Sequence, residues 1–251
     1  MLCLFGFNSL TGIDIAFANR DRDQLALGQG ELTAAPLVAA RACADAALLR
    51  ALPSVLYAII FYPLAGFAGF NRASPGGGGG LEHFAIFVAI AALYAVCMGL
   101  QSSFVATLCP SSGTATLIAS IVVLFEVLLG GFLLNPASMP APVLGLKVLS
   151  PFNHAFAALA LNELKGTSVR FTVSVQLQGA WSTVTDLEGS TFLTGLGIDD
   201  AASVLQHASV LVVLTLGLAW LWHIATASLL VPWSRWRRGR GRRTLNRLCC
   251  A

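Results

Sequence analysis

Few residues in this chain could carry chemistry, and most fail on spacing. His83, His154, His207 and His223 lie far apart, and none has a Cys, Asp or Glu at a helical interval that would make a metal-ligand pair. Packed or interfacial histidines are therefore expected, and no metal. Cysteines occur at 3, 43, 97, 109, 249 and 250 and give no external disulfide framework. The glycine run Gly76–Gly80 follows Pro75 but precedes no Lys-Ser/Thr pair, so it reads as a flexible linker rather than a phosphate-binding loop. No catalytic residue and no cofactor site is assigned in the chain. Glu126 is different. It sits in the middle of an apolar run, where a charged carboxylate costs about 2.5–3.5 kcal/mol on insertion scales and usually faces a bundle interior. It either lines a pathway as a polar or protonatable group, or ties helices together as a neutral, hydrogen-bonded side chain. Asp14 poses the same choice in a shorter apolar segment.

The elements that must position Glu126 follow from composition. Of 251 residues, 56% are hydrophobic and 11% charged, with mean hydropathy +0.76, which excludes a water-soluble enzyme. The net charge of +3 is misleading, because seven arginines lie between Arg235 and Arg247. Without them the balance is 8 basic to 12 acidic side chains, so nucleic acid is not the expected partner. Ala51–Phe70 has no charge over 20 residues and Phe84–Phe125 none over 42, the latter interrupted by Pro110, Ser111, Ser112 and Gly113. The reading is an all-α polytopic membrane protein with five spans, at about 2–18, 51–70, 84–108, 113–134 and 204–231. The first span is short. Residues 25–45 read as an amphipathic cytoplasmic connecting helix or a simple connector. Residues 136–162 carry Pro136, Pro140, Pro142 and Pro151 and read as re-entrant helical segments. Residues 165–203 form a small external loop with strand character over Val169–Leu177, and 232–251 form a basic tail.

Arginines set the orientation. Arg20, Arg22, Arg41 and Arg50 flank the first two spans and seven arginines follow the last, so both segments are expected in the cytoplasm. Five crossings then place 71–82 and 135–203 outside and 109–113 inside, without conflict. Cys249 and Cys250, beside the basic tail, are weak candidates for palmitoylation. Membrane lipids are the partners this composition requires.

Several short matches fall in a familiar order. Leu128-Leu129-Gly130-Gly131-Phe132-Leu133-Leu134-Asn135, Met139-Pro140, Leu149-Ser150-Pro151-Phe152, His154-Ala155-Phe156 and Asn162-Glu163 resemble the fifth span and re-entrant region of ABC transporter G-subfamily (White/ABCG type) half-transporters. Upstream, Glu31, Ala39, Asp45, Leu49-Arg50, Leu52-Pro53 and Phe61-Tyr62-Pro63-Leu64-Ala65-Gly66 resemble that subfamily's connecting helix and third span. Downstream, Val175, Gly179-Ala180, Phe192-Leu193 and Gly197-Ile198 resemble its external loop.

The resemblance implies an ABC-2 type transmembrane domain that lines a path for lipid, sterol-like or other hydrophobic cargo. It also implies a homo- or heterodimer with another half-transporter, and ATP with Mg²⁺ on a nucleotide-binding domain or subunit outside this chain. Phe132 and Leu133 would form the apolar plug above the cargo cavity, or serve as ordinary packing. Glu31, Arg41 and Asp45 would lie on the helix that transmits the ATPase motion. That subfamily has six spans, and its first span and nucleotide-binding domain have no counterpart among these residues, nor do its frequent external-loop cysteines. The expectation is a chain that by itself is no enzyme. The alternative is a non-transporting integral-membrane binding or regulatory subunit, or a truncated relic of a transporter.

Overall fold

A computed structural model of the chain describes residues 1–29, 33–65, 79–130, 145–165, 168–169, 173–177, 180–184, 187–188, 193–199 and 201–230. Eight helices are described: α1 (Leu2–Asn8), α2 (Thr11–Gln29), α3 (Ala34–Ala44), α4 (Leu52–Leu64), α5 (Gly79–Leu108), α6 (Ser112–Leu129), α7 (Pro151–Leu164) and α8 (Val204–Ala225). A π-helical segment, Asp45–Ala51, joins α3 to α4, and another, Thr226–Leu230, extends α8. Five helical runs are long and apolar enough to cross a bilayer: Leu2–Leu27, Ala34–Leu64, Gly80–Leu108, Ser112–Leu129 and Val204–Leu229. The protein is an integral, multi-pass membrane protein.

Local chemistry explains where the helices start. Ser111, Ser150 and Ser203 are extended and accept from the backbone N–H of Thr114, Asn153 and Gln206, satisfying one free donor at the head of α6, α7 and α8. Pro151 occupies the first turn of α7, where its missing N–H costs nothing. Between α5 and α6 only Cys109, Pro110 and Ser111 intervene, so the two helices are held as neighbours.

α5 is the central element, packed against α1, α2, α4, α6, α7 and α8. Its buried face carries Phe87, Ile90, Ala91, Tyr94, Ala95, Cys97 and Met98, where small residues alternate with large ones so that neighbours approach closely. α6 is two-faced. Ala115, Ala119, Val123, Glu126 and Leu129 recur at helical spacing and are buried, while Leu117, Ile121, Leu124, Phe125 and Leu128 point outward. Exposed apolar side chains on a crossing helix need no water-excluding partner in lipid.

The 14 residues of α7 extend roughly 21 Å at 1.5 Å per residue, short of an apolar core about 30 Å thick. Eleven of them are buried, lodged against α1, α5, α6 and α8, which is the surrounding a non-spanning helix requires at membrane depth. Four short antiparallel strands follow α7: β1 (Ser168–Val169) pairs with β4 (Leu187–Glu188), and β2 (Val173–Leu177) pairs with β3 (Ala180–Val184), while Leu193 and Ile198 beyond them are buried against Ala157 and Leu161 of α7. Leu177 stands opposite Ala180 at the end of the second ladder.

Two boundaries differ from expectation. The first crossing does not stop at residue 18; α1 and α2 together form a run to Leu27, broken at Ser9 and Leu10. Residues 25–45 are not one connecting helix. α2 ends at Gln29, Thr33 is extended (φ −92°, ψ 164°), and α3 starts a new helix that continues through the π-helical segment into α4. Apolar Leu37 and Val38 are buried, which draws α3 into the bundle rather than onto its surface.

Candidate transport-path site

Glu126 sits on the buried stripe of α6, 9% exposed, and its Oε1 accepts a 2.6 Å hydrogen bond from Gln101 Nε2 of α5, itself 8% exposed. The carboxyl therefore faces a neighbouring helix within the chain. Its Oε2 has no partner among the described residues, and neither has Tyr94 Oη, two turns before Gln101 on α5. A carboxyl group has about four acceptor sites, and a single amide leaves it under-satisfied in an apolar bundle. The side chain is thus equipped to bind a further donor or a proton.

Behind Glu126 the backbone is also committed. α6 ends at Leu129, where Gly130 N–H bonds back to Val127 O. Ser150 Oγ donates to Glu126 O at 3.3 Å and accepts from Asn153 N at 3.3 Å. One hydroxyl therefore closes the tail of α6 and the head of α7. Gly130 lies so close to the Phe152 ring that an added Cβ would collide with it. Phe152 in turn meets Tyr94 edge to face at 6.2 Å between centroids, completing a contiguous contact from Gly130 back to α5.

A second buried ionisable side chain lies where the sequence places a flank. Arg50, in the π-helical segment, is 3% exposed. Its Nη1 donates to Asn8 O at 2.8 Å, Nη2 to Ser9 O at 3.1 Å, and Nε reaches Asp45 Oδ2 at 3.5 Å. These carbonyls belong to the break between α1 and α2, where Asn8 O otherwise accepts from the Thr11 hydroxyl and Ser9 O from Gly12 N–H, and a cation there also suits the helix dipole. Gly12 and Gly99 make room, since a Cβ on either would meet the guanidinium. Arg50 thereby joins the first and second crossings. Its only signal in the sequence is its position between Leu49 and Leu52 in an otherwise apolar stretch.

Sequence-chosen residues of the connecting segment separate. Arg41 Nη2 pairs with Asp23 Oδ1 at 2.7 Å, tying α3 to α2, and Asp45 belongs to the Arg50 cluster. Glu31 lies outside the described residues, as do Phe132 and Leu133 and the cysteines Cys249 and Cys250. Asp14 is exposed and joins none of these clusters.

Two histidines that share no sequence motif meet at the other end of the bundle. His154 of α7 donates from Nε2 to Val148 O at 2.8 Å and presents Nδ1 to His207 Nδ1 of α8 at 3.1 Å. Nearby, His83 O accepts from Asn162 Nδ2 at 3.0 Å, linking the start of α5 to the end of α7. Among the described residues, no group of three or more His, Cys, Asp or Glu side chains is placed to hold a metal ion.

Comparison with known proteins gives two results. Residues 3–164 match the family model described as ABC-2 type transporter. The chain is also similar to "ABC transporter G family member 24" of Dictyostelium discoideum, with 22% identity over 171 residues, or 68% of this chain and 14% of that protein. The chain therefore spans about one seventh of that relative's length.

Proposed function

The chain belongs to the ABC-2 type transporter family, the membrane domain of ABC transporters, and from that premise we propose that it forms the membrane-spanning part of an ATP-driven exporter of lipid, sterol-like or other hydrophobic cargo. ATP and Mg²⁺ would act on a nucleotide-binding domain or subunit outside these 251 residues. A second half-transporter would complete the path.

The observation that carries this reading is the buried Gln101–Glu126 pair, whose Oε2 has no partner among the described residues. A bundle that needs only to stand in lipid gains little from a carboxyl at this depth, whereas a path benefits from a polar group that can exchange partners. The hydrogen bond holds α5 and α6 in one arrangement, and the Ser150 hydroxyl couples any movement of α6 to α7. The outward apolar face of α6, with Leu117, Ile121 and Phe125, suits either lipid or the second half. Orientation is supported by grouping. Arg20 donates to Cys109 O at the α5–α6 turn, near the level at which Trp222 Nε1 donates to Thr107 Oγ1, while Lys165 reaches Ala202 O at the opposite end. The arginine-rich end is then cytoplasmic.

The test is export of a fluorescent short-chain phospholipid from cells producing the chain together with an ABC ATPase-bearing half. Outward movement that requires both the chain and a hydrolysis-competent ATPase is expected. Assembly with the ATPase-bearing half but no outward movement of phospholipid or sterol probes would favour a non-transporting subunit.

A further inference from the structure

A cavity of about 80 Å³ lies between α2, α3, α5 and α8, and neither Glu126 nor Gln101 lines it. The transport-path reading does not use it. Ile15, Phe17, Leu37, Val38, Ala106 and Trp222 give it apolar walls. Four charged side chains also line it: Arg20, Asp23, Arg41 and Asp45. Three of them are engaged, Asp23 with Arg41 at 2.7 Å and Asp45 with Arg50 at 3.5 Å. Arg20 is not neutralised. Its Nη1 donates to Cys109 O at 2.8 Å and its guanidinium lies 5.1 Å from the Phe17 ring centroid, but no carboxylate pairs with it among the described residues.

The level of this cation in the membrane narrows its ligand. Cys109 O lies directly after α5, at the Pro110–Ser111 turn that divides two crossings and so belongs at a membrane surface, and the buried Trp222 donates its indole N–H to Thr107 Oγ1 two residues earlier. An unpaired guanidinium at headgroup depth, beside an apolar wall that continues toward Gly12, matches an anion joined to hydrocarbon. A soluble anion has no use for the wall, and a zwitterionic or neutral lipid leaves the cation only partly compensated.

We propose that this cavity binds an anionic membrane lipid of the leaflet at the α5–α6 turn, its phosphate on Arg20 and its first acyl carbons against Phe17, Val38 and Trp222. None of these residues belongs to the Glu126 cluster, so the site is separate from the transport path and does not depend on what the protein exports. Occupancy fastens α2 and α3 to α5 and α8, with the lipid as a structural ligand.

Native mass spectrometry of the purified full chain, equilibrated with equal amounts of phosphatidylglycerol and phosphatidylcholine, tests the site. Retention of phosphatidylglycerol is expected to exceed that of phosphatidylcholine and to fall roughly tenfold in Arg20→Gln, with most of it kept in Arg20→Lys. Because Arg20 also holds the α5–α6 turn, Ala16→Leu provides a second arm that fills the cavity without touching the cation. It is expected to lower phosphatidylglycerol retention while Arg20 remains. Equal retention of phosphatidylglycerol by wild type, Arg20→Gln and Ala16→Leu overturns the proposal. So does displacement of bound phosphatidylglycerol by millimolar inorganic phosphate, which would identify a soluble anion as the ligand.

Discussion

Gln101 of α5 and Glu126 of α6, 25 residues apart, meet at 2.6 Å with both side chains buried in the bundle. The contact fixes the rotation of α6 about its own axis, because any other rotation exposes either the carboxyl or the amide to hydrocarbon. Hydrogen bonds between membrane helices contribute about 0.6 kcal/mol on average and up to about 1.7 kcal/mol. A double-mutant cycle with Gln101→Leu and Glu126→Leu, read by reversible unfolding in micelles, is expected to give a coupling energy within that range. Strict additivity would show that the two side chains do not interact in the folded protein.

Arg50 is expected to be the more severe site for stability. Replacing it by Met removes the guanidinium from the Asn8 and Ser9 carbonyls, which keep only the Thr11 hydroxyl and the Gly12 N–H, and from Asp45, and a hydrogen bond to a charged group contributes about 1.5–3 kcal/mol. Arg50→Lys should recover part of the loss, since an ammonium reaches one carbonyl but cannot fork between two. Hydrogen exchange should localise the opening to residues 5–13 at the α1–α2 break. Uniform protection across that break in Arg50→Met would contradict the assignment.

Gly130→Ala is expected to destabilise by about 1–3 kcal/mol, the usual cost of overpacking. Its Cβ would enter the space of the Phe152 ring. Phe152→Leu in the same chain should relieve part of that loss, and denaturant titration of the four variants measures it. If Gly130→Ala is silent, α6 and α7 do not approach as closely as described.

Orientation has its own readout. A cysteine placed at Ser182 on β3 is expected to react with a membrane-impermeant reagent in intact cells, whereas one placed at Gly113 in the first turn of α6 should react only after permeabilisation. The reverse pattern would invert the topology and the direction of transport with it.

Much of the architecture was legible because bilayer physics is written in composition. Uncharged stretches such as Phe84–Phe125 must be buried in hydrocarbon, and Pro110 with its polar neighbours can only divide them at a surface. Glu126 was legible for the same reason, as an expense in an apolar run. Arg50 was not, because an arginine near the end of a hydrophobic segment is normally a flank, and only the α1–α2 break supplies the carbonyls that hold it. The α1–α2 run looked too short because Arg20, Arg22 and nearby acids ended the apolar stretch, while the helix itself continues to Gln29. His154 and His207 lie 53 residues apart on different helices, so no spacing rule could pair them.

The most direct measurement of the central claim is lipid export per assembled complex, with the chain joined to an ATPase-bearing half, for wild type, Glu126→Gln and Glu126→Leu. If Glu126 lines the path, Glu126→Gln is expected to leave the amount of assembled complex unchanged but to alter export or its pH dependence. Glu126→Leu should lower export further by removing every hydrogen-bonding atom. Unchanged export per complex in both variants, with Glu126→Leu reducing only the amount of folded protein, would show that the glutamate merely joins α6 to α5 and would contradict its place in the path.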